Sequence, residues 1–247
     1  MCQNHCEVPE NEDEPYVCAY YVTDEEFADD VDALYEINFT IRIFFTTKRL
    51  LKFALTAVNM HADATYKLIW QGFPVLMVGT TDKQNHYISF GIAVTTSETK
   101  QDFEFIFKSL ISGLKSIDGS YELKPKIIMA DAADSISNGF KQAFKFKDDG
   151  LYKRSMCAIH VRRAIEKYGN FNDTKNKAKV IKDFIDLQIA QNQNIFNEAA
   201  ELFINKWCEK EDKFTAYFRK EWLDAHNNKI KTRKSCIKMS LLSTRKH

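Results

Sequence analysis

Between Met60 and Ala130 the chain spells three short-linked strands, one amphipathic helix and one buried strand, an order that few architectures accept. The strands are read at 61–69, 73–80 and 86–95 from their apolar and β-branched content. Gln71-Gly72 and the polar run Thr81–Asn85 join them. Links this short permit only an antiparallel meander. Phe103, Ile106, Phe107, Leu110, Ile111 and Leu114 then recur at three and four residue steps, which predicts a helix with one buried face. Pro125 through Ala130 reads as a strand of the kind found inside a parallel sheet. A helix near Ser135–Phe144, a strand near Leu151–Ala158 and a helix over His160–Tyr168 follow. The expected class is α/β, with a mixed sheet flanked by helices.

The flanks extend this core. Tyr16–Val22 and Phe39–Phe45 read as two strands around a short acidic helical segment near Glu25–Leu34, forming an N-terminal accessory element. Thr46–Leu55 reads as a short helix capped by Thr46 or Thr47. Beyond Asn170 the pattern is all helical: Val180, Phe184 and Leu187, then Ala199, Leu202, Phe203 and Trp207, then Phe214, Tyr217, Phe218 and Trp222 each mark one face. With 19 Phe but only 8 Gly and 4 Pro, neither disorder nor a turn-rich all-β fold is expected. The expected division is an acidic tail 1–15, the accessory element 16–56, the core 57–170, a helical region 171–228 and a basic tail 229–247. Both tails, one rich in acids at Glu7–Glu14 and the other in Lys and Arg, read as solvated ends.

No run of eighteen apolar residues suits a membrane span, and Met1–Cys6 leads into acids rather than a signal-peptide stretch. An intracellular protein without a membrane partner is expected, its 6 cysteines thiols by default. A net charge of +1 makes any nucleic-acid binding modest and steeply salt-sensitive.

The candidate chemistry lies in two acids. In His61-Ala-Asp63-Ala-Thr65, strand alternation puts Asp63, Thr65 and Lys67 on one face and Ala62, Ala64, Tyr66 and Leu68 on the other. A charge in mid-strand is costly unless it faces a cleft or a metal. Asp131 ends the buried strand, where ligands of open α/β sheets gather. Taken singly, Asp131 or Asp134 also reads as a helix N-cap, and Asp63 as a charge on a solvated face. Two or three carboxylates on neighbouring strands suffice to hold Mg²⁺, and paired ions can drive phosphodiester cleavage.

His61-Ala-Asp-Ala-Thr-Tyr-Lys-Leu, Gly72-Phe-Pro-Val-Leu-Met-Val-Gly79, Ser97-Glu-Thr, Met129-Ala-Asp-Ala-Ala and Cys157-Ala-Ile-His160 together resemble the transposases of Mutator-like elements, over roughly 46–225. The resemblance implies a ribonuclease H-like five-stranded mixed sheet with an appended C-terminal all-helical region. It implies Asp-Asp-Glu strand cleavage and transfer with Mg²⁺ or Mn²⁺ on the DNA ends of a transposon, and a protein able to form homo-oligomers. Asp63 and Asp131 would be the first two catalytic acids and metal ligands. Cys157 and His160 match the family's Cys-x-x-His pair, for which a structural or DNA-positioning role is expected rather than zinc binding. Cys2, His5 and Cys6 read as surface residues rather than the remnant of a finger.

The family's third acid sits in a segment resembling Thr-Asn-Asn-x-x-Glu. Here Asn227-Asn228 runs into Lys229-Ile-Lys-Thr-Arg-Lys234 without a glutamate. A truncated domain with impaired strand transfer is therefore expected. Glu166, Glu198, Glu201 and Glu221 are substitutes by position, though each lies on a charged helical face. The alternative is a non-catalytic descendant that binds DNA or protein, with Trp207 and Trp222 as contact residues; a simple core role for these aromatics explains their spacing more directly.

Overall fold

The structure, a computed structural model, describes residues 6–25, 38–66, 68–82, 84, 86–131, 133–147, 151–190 and 192–224. Most of the acidic segment expected near Glu25–Leu34 and all of the basic tail lie outside the described residues, as do Cys2 and His5. Among the described residues seven strands form one sheet: β1 (Tyr16–Glu25), β2 (Asn38–Thr46), β3 (Asn59–Thr65), β4 (Val75–Thr81), β5 (Tyr87–Thr95), β6 (Ile127–Ala130) and β7 (Lys153–Met156). Their order is β1-β2-β5-β4-β3-β6-β7. The meander read from the sequence is present, β3 antiparallel to β4 and β4 to β5.

The sheet is wider than the five strands expected. Arg42–Phe45 of β2 pair with Ile92–Thr95 of β5, and β1 pairs along the other side of β2. An unpaired β5 would present a row of open N–H and C=O groups, which the β1–β2 hairpin satisfies. Its inward face supplies Phe44, which has no exposed surface, and Thr46, whose hydroxyl donates to the Phe90 carbonyl at 2.6 Å. The helix cap is thus Thr47, which accepts from the Leu50 amide at 3.2 Å.

The chain forms two compact units. The first comprises Met1–Asp82, Tyr87–Ile128 and Ala133–Lys153. Within it, α1 is Lys48–Ala54, α2 is Lys100–Ile117 and α3 is Asp134–Ala143. The face of α2 read from periodicity is buried at Phe103, Ile106, Phe107, Leu110 and Leu114, while Ile111 is only half-buried. Phe107 packs edge-on against Phe140 of α3, centroids 5.3 Å apart. Asp102, in the first turn of α2 and fully buried, anchors this helix. Its Oδ2 accepts from the Thr99 amide at 2.7 Å, the Thr99 hydroxyl at 2.6 Å and the Ser97 hydroxyl at 2.8 Å, while Oδ1 accepts from Arg42 Nε of β2 at 2.7 Å. The β3–β4 link turns at Gly72, whose φ of +75° few other residues adopt, and its amide donates to the Ile69 carbonyl at 3.0 Å. On this link Trp70 is 94% exposed.

The second unit comprises Lys83–His86, Met129–Ala132 and Arg154–His247. Its helices are α4 (Ala158–Lys167), α5 (Asn176–Leu187), α6 (Gln193–Cys208) and α7 (Asp212–Phe218), followed by a π-helical turn over Arg219–Asp224. One apolar core joins Val161 and Ile165 of α4, Val180 and Phe184 of α5, Phe203 and Trp207 of α6, Phe214 and Phe218 of α7, and Trp222. The aromatic stripe read from the sequence is therefore core packing, which removes Trp207 and Trp222 as exposed contact residues. Leu202 is the exception: α6 turns Phe203 and Ile204 inward and leaves Leu202 70% exposed. Trp207 Nε1 donates to Asp183 of α5 at 2.8 Å, giving the buried indole a partner.

Candidate active site

In the first unit the site is built on β3. Met60 and Ala62 are buried with Leu76 and Val78 of β4 on one face. That alternation sends His61, Asp63 and Thr65 to the other face, as the sequence implied. Asp63 is half-buried opposite Met77, and its Oδ1 accepts from the Ala64 amide at 2.9 Å. Two positions away His61 is 2% exposed, and burial pushes its pKa down to about 4, so its imidazole is neutral. Thr81 Oγ1 lies 3.4 Å from its Nε2, and the Tyr87 ring meets it edge-on with centroids 6.4 Å apart.

Tyr87 belongs to the same face. It lies over Gly79, the residue opposite His61, where an added Cβ would fall 2.6 Å from the Tyr87 hydroxyl. Burial, first, and then the charge of Asp63 raise the phenol's pKa. The Tyr87 hydroxyl is buried with no hydrogen-bond partner among the described residues. Sequence reading missed Tyr87, because the register shift between Val78 and Gly79 decides which β5 residue reaches His61.

The second unit holds the other acid. Asp131 directly follows β6 and is half-buried; its carbonyl accepts from Arg154 Nη2 of β7 at 3.3 Å. The Cys157 amide donates to the Ala130 carbonyl at 2.9 Å, which sets the start of α4 beside the end of β6. Cys157 is the N-cap of α4, buried and a free thiol, and the amide of half-buried His160 donates to the Cys157 carbonyl at 3.0 Å. Arg154 was also missed; its sole signal was a cation within a strand.

Among the described residues no three His, Cys, Asp or Glu side chains are grouped to hold a metal ion. Cys157 and His160 therefore have no third ligand there. Of the candidate third acids, Glu166 pairs with Arg162 of α4 at 2.7 Å and Glu201 with Arg219 at 2.7 Å. Glu198 is exposed on α6, and Glu221 lies in the π-helical turn. Asn227–Lys234 lies outside the described residues. Carboxylates are the right kind of donor for a hard divalent cation. The number grouped among the described residues falls short of a complete site.

The fold class is a mixed α/β sheet flanked by helices, carrying one carboxylate on an inner strand and one at the end of another. Residues 59–164, from β3 into α4, match the family model of the MULE transposase domain. The match includes Asp63, Asp131, Cys157 and His160, and is shorter than the 46–225 span of the resemblance. Comparison with curated proteins finds no match.

Proposed function

We propose that the protein is a transposase-derived, ribonuclease H-like domain that acts on DNA, with Asp63 and Asp131 as its two catalytic acids. The observation that carries this reading is the MULE match, which spans both acids. The strand order β5-β4-β3-β6-β7 supports it: a meander with Asp63 on the strand beside β6, then two strands reached through helices. Mg²⁺ or Mn²⁺, when bound, supplies charge neutralisation at the scissile phosphate. The protein's own part is to present the Asp63 carboxylate from a rigid strand and Asp131 from a strand end. The proposed substrate is transposon-end DNA and the proposed location the nucleus, with homo-oligomer formation in keeping with the class. Strand transfer is impaired in this reading, since Asn227–Lys234 offers no counterpart to the third acid.

The test is a melting experiment with and without Mn²⁺. At a concentration about 100 times the dissociation constant, a bound ion adds about 2.7 kcal/mol and raises the melting temperature by roughly 5 to 10 °C. That gain is expected in the wild-type protein and absent in Asp63→Asn and in Asp131→Asn. No gain in the wild-type protein would sink the metal-dependent reading. It would favour a non-catalytic DNA-binding descendant, the second reading, for which the lack of a grouped carboxylate triad among the described residues speaks.

A further inference from the structure

In the second unit, the stretch from Ala158 to Lys182 holds seven Lys or Arg against two acids, in a chain whose overall charge is only +1. The helices sort these charges. On α4, Val161 and Ile165 enter the core, while Arg163 and Lys167, one turn apart, are exposed. Along α5, Val180, Phe184 and Leu187 enter the same core. Lys175 at its N-cap, Lys179 and Lys182 form an exposed row at four and three residue steps. Three other cations of this unit are ion-paired, Arg162 with Glu166, Lys206 with Asp183 and Arg219 with Glu201. Among the described residues, none of the five cations in the two rows has an ion pair.

Two further observations give the rows a direction. Along α5 most charges run against the helix dipole: Lys177 and Lys179 stand in its first half and Asp183 and Asp186, beside Lys182, in its second, with no acid in the first turn. Such a helix gains from an anion placed along its basic half. In addition, α4 starts where the Cys157 amide bonds the carbonyl of Ala130, the residue before Asp131. The helix that carries Arg163 and Lys167 further along thus starts next to a candidate catalytic acid of the same unit.

We propose that the rows Arg163/Lys167 and Lys175/Lys179/Lys182 are the surface on which this protein binds the phosphate backbone of duplex DNA. The proposal rests on the reading of the domain as one that acts on DNA, and names the surface that holds the substrate. Backbone interactions of this kind position a duplex without reading its sequence. Each releases counterions, so each leaves a mark on the salt dependence of binding.

The experiment is fluorescence anisotropy of labelled duplex DNA with the full chain, between about 50 and 200 mM salt. Lys175→Gln/Lys179→Gln/Lys182→Gln is expected to weaken binding at least about tenfold and to reduce the log–log salt slope by about 0.9 for each phosphate no longer neutralised. Arg163→Gln/Lys167→Gln, on the other helix, is expected to lower the slope independently. Lys108→Gln/Lys115→Gln/Lys124→Gln removes the same number of charges from the first unit and is expected to leave the slope nearly unchanged. Circular dichroism melts of each variant establish that the helices remain folded. If the wild-type protein binds DNA and all three variants match it in affinity and slope, the surface is wrong while the DNA reading stands. An equal loss in the first-unit variant makes net charge, not this surface, the cause and overturns the proposal. If the wild-type protein fails to bind DNA, both fall, and binding to phosphatidylserine vesicles would then reassign the rows to a membrane surface.

Discussion

Replacing Glu211 by alanine is expected to destabilise the second unit by about 3 to 5 kcal/mol, among the largest losses any single polar side chain here would cause. Glu211 stands between α6 and α7 with no exposed surface. Its Oε2 accepts from the Asn172 amide at 2.7 Å, and its Oε1 from the Asp173 amide at 3.1 Å and Asn176 Nδ2 at 2.8 Å. One carboxylate therefore ties the α4–α5 link and the start of α5 to α7, beside the bonds of the Asn172 side chain to Lys210 and Asp212, while its own carbonyl accepts from the Thr215 amide at 2.9 Å to start α7. Alanine would strip these amides of their acceptor and leave a cavity at a fully buried position, in a region where Phe214 stacks on Phe171 of that link. Glu211→Gln, which keeps one acceptor oxygen but turns a donor toward other donors, is expected to lose about half as much. Urea unfolding followed by circular dichroism measures this. A midpoint shift worth less than about 1 kcal/mol for Glu211→Ala would show that the link is held by other means.

The first unit has its own buried acid, and its removal should be comparably costly and pH-dependent. Asp102→Asn is expected to cost about 3 kcal/mol at neutral pH, because it leaves the Arg42 guanidinium without its counter-charge. Burial opposes ionisation of Asp102. The Thr99 hydroxyl, Arg42, the Thr99 amide and the Ser97 hydroxyl together outweigh it and hold the pKa below the ordinary carboxylate value. A carboxylate depressed in the folded state stabilises fully above its unfolded pKa of about 3.9. That contribution is lost as pH falls through the lower folded value. Wild-type stability should therefore drop below about pH 4 toward that of Asp102→Asn, and the two pH profiles should converge. Curves that stay parallel down to acid unfolding would show that Asp102 is not the titrating group.

Where the sequence could be read, the reason is local. The meander, the buried face of α2 and the aromatic stripe of the helical unit all follow from periodicities that one element carries by itself. Where reading failed, the decision was made between elements. The apolar alternation of Tyr16–Val22 and Phe39–Phe45 announces strands but not the β5 edge they cover. Ile111 and Leu202 have the spacing of core residues, yet the neighbours present at their turns leave one half-buried and the other exposed. The acids Asp63 and Asp131 stood out because one stands within an apolar strand and the other at the end of one. Their supporting residues did not: Tyr87 reaches the face of Asp63 through a register shift, and Arg154 reaches the Asp131 carbonyl from a strand whose pattern does not say which neighbour it faces.

The three tryptophans are divided with unusual clarity for a chain of this size: Trp207 and Trp222 are 3% and 8% exposed in the helical core, while Trp70 stands almost wholly in solvent. Iodide in solution quenches the light emitted by Trp70 and spares the other two, so the remaining, blue-shifted emission reports the helical unit alone. The molecule thus carries a built-in optical label for its helical unit, whose unfolding can be followed without attaching a dye.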